Sequence, residues 1–206
     1  MNGAAAIKDP SGGGDSWGTP IDLWQEIYAR YFDGRRVLDP CPNRDRLLPG
    51  ADITLAPTDG LEIDWDMDFF VNPPWSNIMP WAFKAYSGDQ FGALLVPVRS
   101  DQRWFRVYAP AARLVLIGGR VNYINPKTGT TQVIDKKTGK LKNGGISCPS
   151  CLLIFGSVPG VEYWTPKCHE GKRTRAPLPE EAQRRAAPAV FGGSESSNPN
   201  PKESAP

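Results

Sequence analysis

No apolar run in this chain of 206 residues approaches the ~18 that a membrane-spanning helix needs. The N-terminus also has no apolar signal core, so a soluble, cytoplasmic protein without a membrane partner is expected. One-sided charge is lacking too: 24 Lys and Arg against 22 Asp and Glu leave a formal +2. That excludes a global field for nucleic acid; any such binding must rest on a local basic patch. Cysteine is sparse, and Cys41, Cys148, Cys151 and Cys168 are too few for a disulfide scaffold. Cys148-x-x-Cys151 with Cys168-His169 has part of a zinc-site spacing, but no second well-spaced pair closes the set. Cys151 instead opens an apolar run to Phe155 that reads as a buried strand, where cysteine acts as a small hydrophobe. No metal is expected. Repeats are absent beyond two Lys-Thr-Gly turns, at 127–129 and 137–139.

What is present fits one α/β domain. A content of 40% hydrophobic and 22% charged residues is ordinary for a globular protein. Proline and glycine, 21 each, are plentiful, so long loops or disordered ends are expected. Residues 1–15 are small, polar and glycine-rich, and 171–206 form a Pro/Ala/Arg-rich tail; both are expected to be disordered. The domain is assigned to 16–170. Thr19-Pro20 begins a helix with proline in its first turn, and Leu23, Trp24, Ile27, Tyr28 and Tyr31 follow at helical spacing. Strands are predicted at 36–38, 68–71, 92–98 and 113–117, with a brief one at 53–55. Helices are predicted at 81–86 and 100–108, the latter capped by Ser100. Residues 121–124 and 151–155 read as paired strands, a C-terminal β-hairpin with a long polar connection. The alternation of strand and helix argues a sandwich on a mainly parallel sheet.

The chemistry concentrates in Asn72-Pro73-Pro74-Trp75, directly behind the apolar run Phe69-Phe70-Val71. Two prolines fix φ and remove two backbone donors. The carbonyls of Asn72 and Pro73 and the Asn72 side-chain oxygen remain as acceptors beside a flat ring. Such a corner suits an exocyclic NH2 group held by its two protons while Trp75 stacks on the ring that carries it. Ligands of open α/β sheets bind outside the carboxyl ends of strands, where Asp39 and Asp59 also fall. Asp59 lies 20 residues after Asp39, and Asn72 lies 13 after Asp59.

The ordered set resembles the phage-type DNA N6-adenine methyltransferase family (Dam-like). Its pieces are Trp17-Gly-Thr19-Pro20, Leu38-Asp39-Pro40-Cys41, Thr58-Asp59-Gly60-Leu61 with Trp65, and Phe70-Val-Asn72-Pro-Pro-Trp75-Ser76. Trp81, Lys84-Ala85, Leu94-Leu-Val-Pro97, Trp104-Phe105, Gly118-Gly119-Arg120 and Tyr123-Ile-Asn125-Pro126 complete it. The likeness spans about residues 17–156. It implies a Rossmann-like methyltransferase sandwich, S-adenosylmethionine as cofactor, and double-stranded DNA as partner. It also implies a phage or prophage origin in a bacterial host and a monomer or weak dimer.

Carried over to these positions, the cofactor contacts are Trp17, Thr19, Pro20, Asp39, Cys41, Asp59, Leu61 and Asn72. Asn72, Pro73, Pro74 and Trp75 hold the base. Trp75 stands where tyrosine or phenylalanine is usual and supplies the same π-face. The chain departs from the wider methyltransferase pattern in having no Gly-x-Gly after Asp39. Because the target amine is shielded in a duplex, the base must be flipped out. DNA contact needs cations near the corner: Lys127, Lys136, Lys137, Lys140 and Lys142 in a polar hairpin, with Arg99, Arg103 and Arg120. Two other readings stand beside this one. Cytosine N4 methylation uses the same corner, usually with serine at position 72, and a catalytically idle DNA-binding or zinc-stabilised module would bind no cofactor.

Overall fold

Period-two burial along short apolar strands divides the core into two layers around one sheet. The computed structural model describes residues 17–41, 48–49, 51–53, 60–125, 127–135, 137–143 and 147–169. These fall in one unit, Met1–Arg175, while a second, Ala176–Pro206, lies outside the described residues. So do the expected terminal segments 1–15 and 171–206.

The main sheet has seven strands. They are β1 (Val37–Asp39), β2 (Ala51–Ile53), β3 (Phe69–Val71), β4 (Gly92–Pro97), β5 (Arg113–Ile117), β10 (Ser150–Phe155) and β11 (Gly160–Trp164). Their spatial order is β11-β5-β10-β4-β3-β1-β2, and every neighbour pair is parallel except the two that β10 makes. The protein is thus mixed α/β, with one reversed strand in a mostly parallel sheet. Phe70, Ala93, Leu95, Val115, Leu152 and Ile154 bury on one face with Leu23, Trp24, Ile27 and Phe32. Phe69, Val71, Leu94, Val96, Cys151 and Leu153 bury on the other with Trp81, Ala85, Trp104 and Phe105.

Helix α1 (Ile21–Ile27) runs on into a π turn, Tyr28–Phe32, and stops at Asp33 (φ 39°) and Gly34 (φ 78°). Pro20 sits one place ahead of the expected position, as the cap residue, its carbonyl accepting the Trp24 N–H at 2.9 Å. Helix α2 (Ile78–Ser87) begins three residues earlier than the sequence reading put it. Pro80 is tolerated in its first turn because no helical partner is due to that nitrogen. Helix α3 (Arg103–Tyr108) begins later, and Ser100 does not cap it. Arg99 forks onto Asp101 at 2.9 and 2.8 Å, and the Gln102 N–H closes a turn on the Arg99 carbonyl at 2.9 Å. That turn occupies the residues a longer helix would need.

One strand expectation is met in part and another is corrected. The brief strand expected at 53–55 takes in Ala51–Ile53, and residues 54–55 lie outside the described residues. Residues 121–124 and 151–155 do not pair with each other. β6 (Val121–Asn122) pairs with β9 (Ser147–Cys148), whereas β10, buried at all six positions, inserts between β4 and β5. A fully apolar strand finds both faces covered only inside the sheet, so β10 goes there. The polar connection carries a hairpin of its own, β7 (Gln132–Ile134) with β8 (Leu141–Asn143). β11, parallel to β5 at the sheet margin, was not foreseen. Among the described residues no helix is long and apolar enough to cross a membrane.

Candidate active site

The chain steps from β1 outward to β2, then returns to lay β3 on the other flank of β1. This reversal is a topological switch point, and open α/β sheets bind ligands beyond the carboxyl ends of the strands at such a point. Leu38 pairs with Phe69, so Asp39 leaves β1 at the same edge at which Asn72 leaves β3. The two residues singled out from sequence therefore share one edge of the sheet for a topological reason.

Asn72 is tied down through its amide nitrogen. Nδ2 donates to the Trp17 carbonyl at 2.7 Å, which leaves Oδ1 as the terminal atom able to accept. Pro73 is buried and Asn72, Pro74 and Trp75 are half-buried. The Asn77 N–H closes a 3-10 turn on the Pro74 carbonyl at 3.2 Å. The carbonyls of Asn72 and Pro73 receive no backbone N–H among the described residues. Trp75 packs against both apolar layers, its ring perpendicular to Tyr123 at 4.6 Å between centroids. The corner therefore has carbonyls without a backbone donor among the described residues, and Pro73 and Pro74 bring no N–H of their own.

Asp39 is 5% exposed and accepts the Cys41 N–H at 3.1 Å. Burial pushes its carboxyl up to about 7, with the Cys41 N–H pulling partly back. A buried carboxyl carrying so little hydrogen bonding suits a donor-bearing ligand. Trp17 supplies a matching anomaly: it is 5% exposed, and its indole Nε1 is buried with no hydrogen-bond partner. Thr19 and Pro20 are buried beside it.

Asp59 lies outside the described residues, but its successor is well defined. A Cβ on Gly60 would fall 1.9 Å from the Pro40 carbonyl oxygen, so only glycine lets this segment lie against the end of β1. Trp65 Nε1 donates to the Gly60 carbonyl at 2.9 Å, and Lys84 Nζ to that of Leu61 at 3.1 Å. Trp65 and Lys84 thus hold the 60–61 segment, a role with no mark in the sequence, because side-chain bonds to a backbone carbonyl leave no periodic signal. Leu61 and Cys41 pack on the same apolar layer.

The cationic candidates are scattered. Lys127, Lys137 and Lys140 are exposed on the turns of the hairpin region, while Lys136 and the Lys142 side chain lie outside the described residues. The two Lys-Thr-Gly turns share one design. Asn125 Oδ1 accepts the Lys127 N–H at 2.9 Å, Asp135 Oδ1 accepts the Lys137 N–H at 2.8 Å, and Gly129 (φ 65°) and Gly139 (φ 67°) reverse the chain. Arg103 is exposed, Arg99 is committed to Asp101, and Arg120 forks onto the Ser147 carbonyl through Nε and Nη2. No disulfide joins the cysteines. Among the described residues no three His, Cys, Asp or Glu side chains gather to hold a metal.

Fold and site together define a mixed α/β protein with an Asn-Pro-Pro-aromatic corner and a buried carboxyl at the switch point of a mostly parallel sheet. The chain belongs to the DNA N-6-adenine-methyltransferase (Dam) family, whose model matches residues 7–143. A DNA N-6-adenine-methyltransferase of Haemophilus phage HP1 (strain HP1c1) is 28% identical over 123 residues, covering 56% of this chain and 69% of the phage protein. No solved structure matches. The family match ends before β9, so the reversed strand β10 and the marginal β11 lie beyond it.

Proposed function

We propose that this protein transfers a methyl group from S-adenosylmethionine to the exocyclic N6 of an adenine flipped out of double-stranded DNA, on a Rossmann-like methyltransferase fold spanning residues 16–170. The reading is carried by the Asn72 corner: an amide held by Trp17 through its nitrogen, at the carboxyl edge where Asp39 also ends its strand. Membership of the Dam family supports the choice of adenine N6 over cytosine N4.

The residues present fit the cofactor. Asp39 offers an acceptor and Trp17 Nε1 an unused buried donor, while Thr19, Pro20, Cys41 and Leu61 supply walls; Asp59 completes the set carried over from the resemblance. When bound, S-adenosylmethionine supplies an electrophilic methyl on a sulfonium that leaves as a neutral thioether. The protein has to present the nucleophile. An adenine N6 lone pair is delocalised into the ring and attacks poorly. Hydrogen bonds from its two protons to Asn72 Oδ1 and the Pro73 carbonyl turn the nitrogen towards tetrahedral geometry, with its lone pair directed at the methyl. These fixed dipoles also meet the positive charge that grows on nitrogen as the N–C bond forms. They need no reorganisation, because Pro73, Pro74 and the Trp17 tether have already set them. Trp75 provides the face against which the extruded base stacks. The cationic, methylated N6 then gives up one proton to solvent water, restoring the neutral amine.

Incubation with labelled S-adenosylmethionine and unmethylated DNA, followed by nucleoside analysis, is expected to give N6-methyladenine. N4-methylcytosine as the product, or no labelled base at all, would refute the assignment. The hairpin cations are assigned to phosphate. A double Lys137→Ala, Lys140→Ala variant is expected to bind duplex DNA more weakly, and each lost phosphate contact to lower the log–log salt slope by about 0.9. Titrations at several salt concentrations read this, and an unchanged slope would remove the hairpin from the interface.

A further inference from the structure

Tyr123 has no part in the scheme above, yet it lies against the corner. It is fully buried, its ring stands at 88° to Trp75, and its hydroxyl shares a hydrogen bond with Ser150 Oγ at 3.0 Å. Ser150 heads the reversed strand β10 and is 1% exposed. A ring packed on all sides and held at its hydroxyl has little freedom to move aside, and edge-to-face packing fixes the tilt of its neighbour. One residue further on, Ile124 exchanges two backbone hydrogen bonds with Gly18, both 2.9 Å. Gly18 follows Trp17, whose carbonyl holds Asn72 Nδ2. The root of the lysine-bearing hairpin therefore reaches the corner by two short routes, ring to ring at Trp75 and backbone to amide at Asn72.

We propose that Tyr123 is a positioning residue, setting the plane of Trp75 and coupling it to the seat of the hairpin that Tyr123 begins. The proposal rests on the reading of the corner as a base-binding site. Tyr123→Met fills the volume but removes the ring, whereas Tyr123→Phe keeps the ring and loses only the hydroxyl. With S-adenosylmethionine and unmethylated DNA, Tyr123→Met is expected to lower kcat ten- to hundredfold with KM for DNA and cofactor affinity within twofold. Tyr123→Phe should stay within threefold of wild type in kcat.

Amide hydrogen exchange gives a readout that needs no turnover. Exchange over residues 74–79 should quicken at least tenfold in Tyr123→Met, remain at the wild-type rate in Tyr123→Phe, and leave β4 protected in both. Lost protection in β4 would mark an unfolded variant, in which case Tyr123→Leu takes its place with the same expectations. Wild-type kcat and wild-type corner exchange in a folded variant without the ring would overturn the proposal. A wild-type protein that methylates no DNA would instead refute the functional reading, and the exchange comparison would still decide whether Tyr123 holds the corner.

Discussion

Asn72→Ala is expected to lower single-turnover methyl transfer by about 10²–10³-fold, the range seen when one preorganised group facing developing charge is removed. Cofactor affinity should change only a few-fold, because the loss is felt where charge develops on the nitrogen. Asn72→Asp separates the two ends of the amide. A carboxylate still accepts a proton from N6, but it cannot donate to the Trp17 carbonyl and is repelled by it. Its rate should therefore fall between wild type and alanine, with a loosened segment at Trp17. Rapid-quench transfer with titration calorimetry for the cofactor measures both. Retention of more than a tenth of the wild-type rate by Asn72→Ala would show that the side-chain acceptor is not part of the machinery.

Asp39→Asn is expected to act in opposite directions on stability and on binding. The folded-state pKa is raised from 3.8 to about 7 by burial. The folded protein therefore holds a proton that the unfolded chain releases from pH ~4 upward, and stability declines as pH rises from there through about 7. Asparagine carries no such charge, so the ligand-free variant should melt above wild type at pH 8, and the advantage should shrink towards pH 5. Binding runs the other way. Donors on the cofactor favour the ionised carboxylate, so wild-type affinity should rise about tenfold from pH 6 to pH 8, as the ionised fraction of a group with pKa about 7 does. The same titration of the variant removes the contribution of the ligand's own amine. At pH 8 the variant should bind about 10–100-fold more weakly, the loss of one hydrogen bond to a charged group being about 1.5–3 kcal/mol. Equal pH slopes for the two proteins would place the carboxyl outside the cofactor's reach. A gain in stability matched by a loss in binding is the pattern of a residue kept for its ligand rather than for the fold.

Much of this arrangement could be read in the amino acids because its causes are local. Pro-Pro after Phe-Phe-Val dictates a stiff acceptor corner whatever surrounds it, and Asp39 behind Val37-Leu38 has to sit at a strand end. Leu23, Trp24 and Ile27 announce α1 by spacing alone. What escaped depends on partners distant in the chain. The apolar residues of β10 announce a buried strand but not which neighbours it separates, since Leu152 and Leu153 would suit several slots. Gly160-Val-Glu-Tyr-Trp164 lies between two prolines and has three exposed positions out of five, so its affiliation with β5 left no strong mark. Trp65, Lys84 and Tyr123 appeared among the motif residues without a task. Their contacts to Gly60, Leu61 and Trp75 exist only once the sheet has brought them together. The asparagine was foreseen as an acceptor; its use of Nδ2 to grip the Trp17 carbonyl was not.

The reversed strand has a consequence for how such a protein can change over generations. β5 leaves the sheet at the carboxyl edge, and β10, running the other way, re-enters at that same edge. The chain thus leaves the sheet after β5 and rejoins it at β10 on the same edge. A detour with both feet on one side can lengthen, shorten or be exchanged while the strands beneath keep their register. On the function proposed above, the corner and a DNA-facing surface carried by this stretch would thereby be separable for selection. Relatives that read different sequences would be expected to differ most in this stretch and least in the strands that carry Asp39 and Asn72.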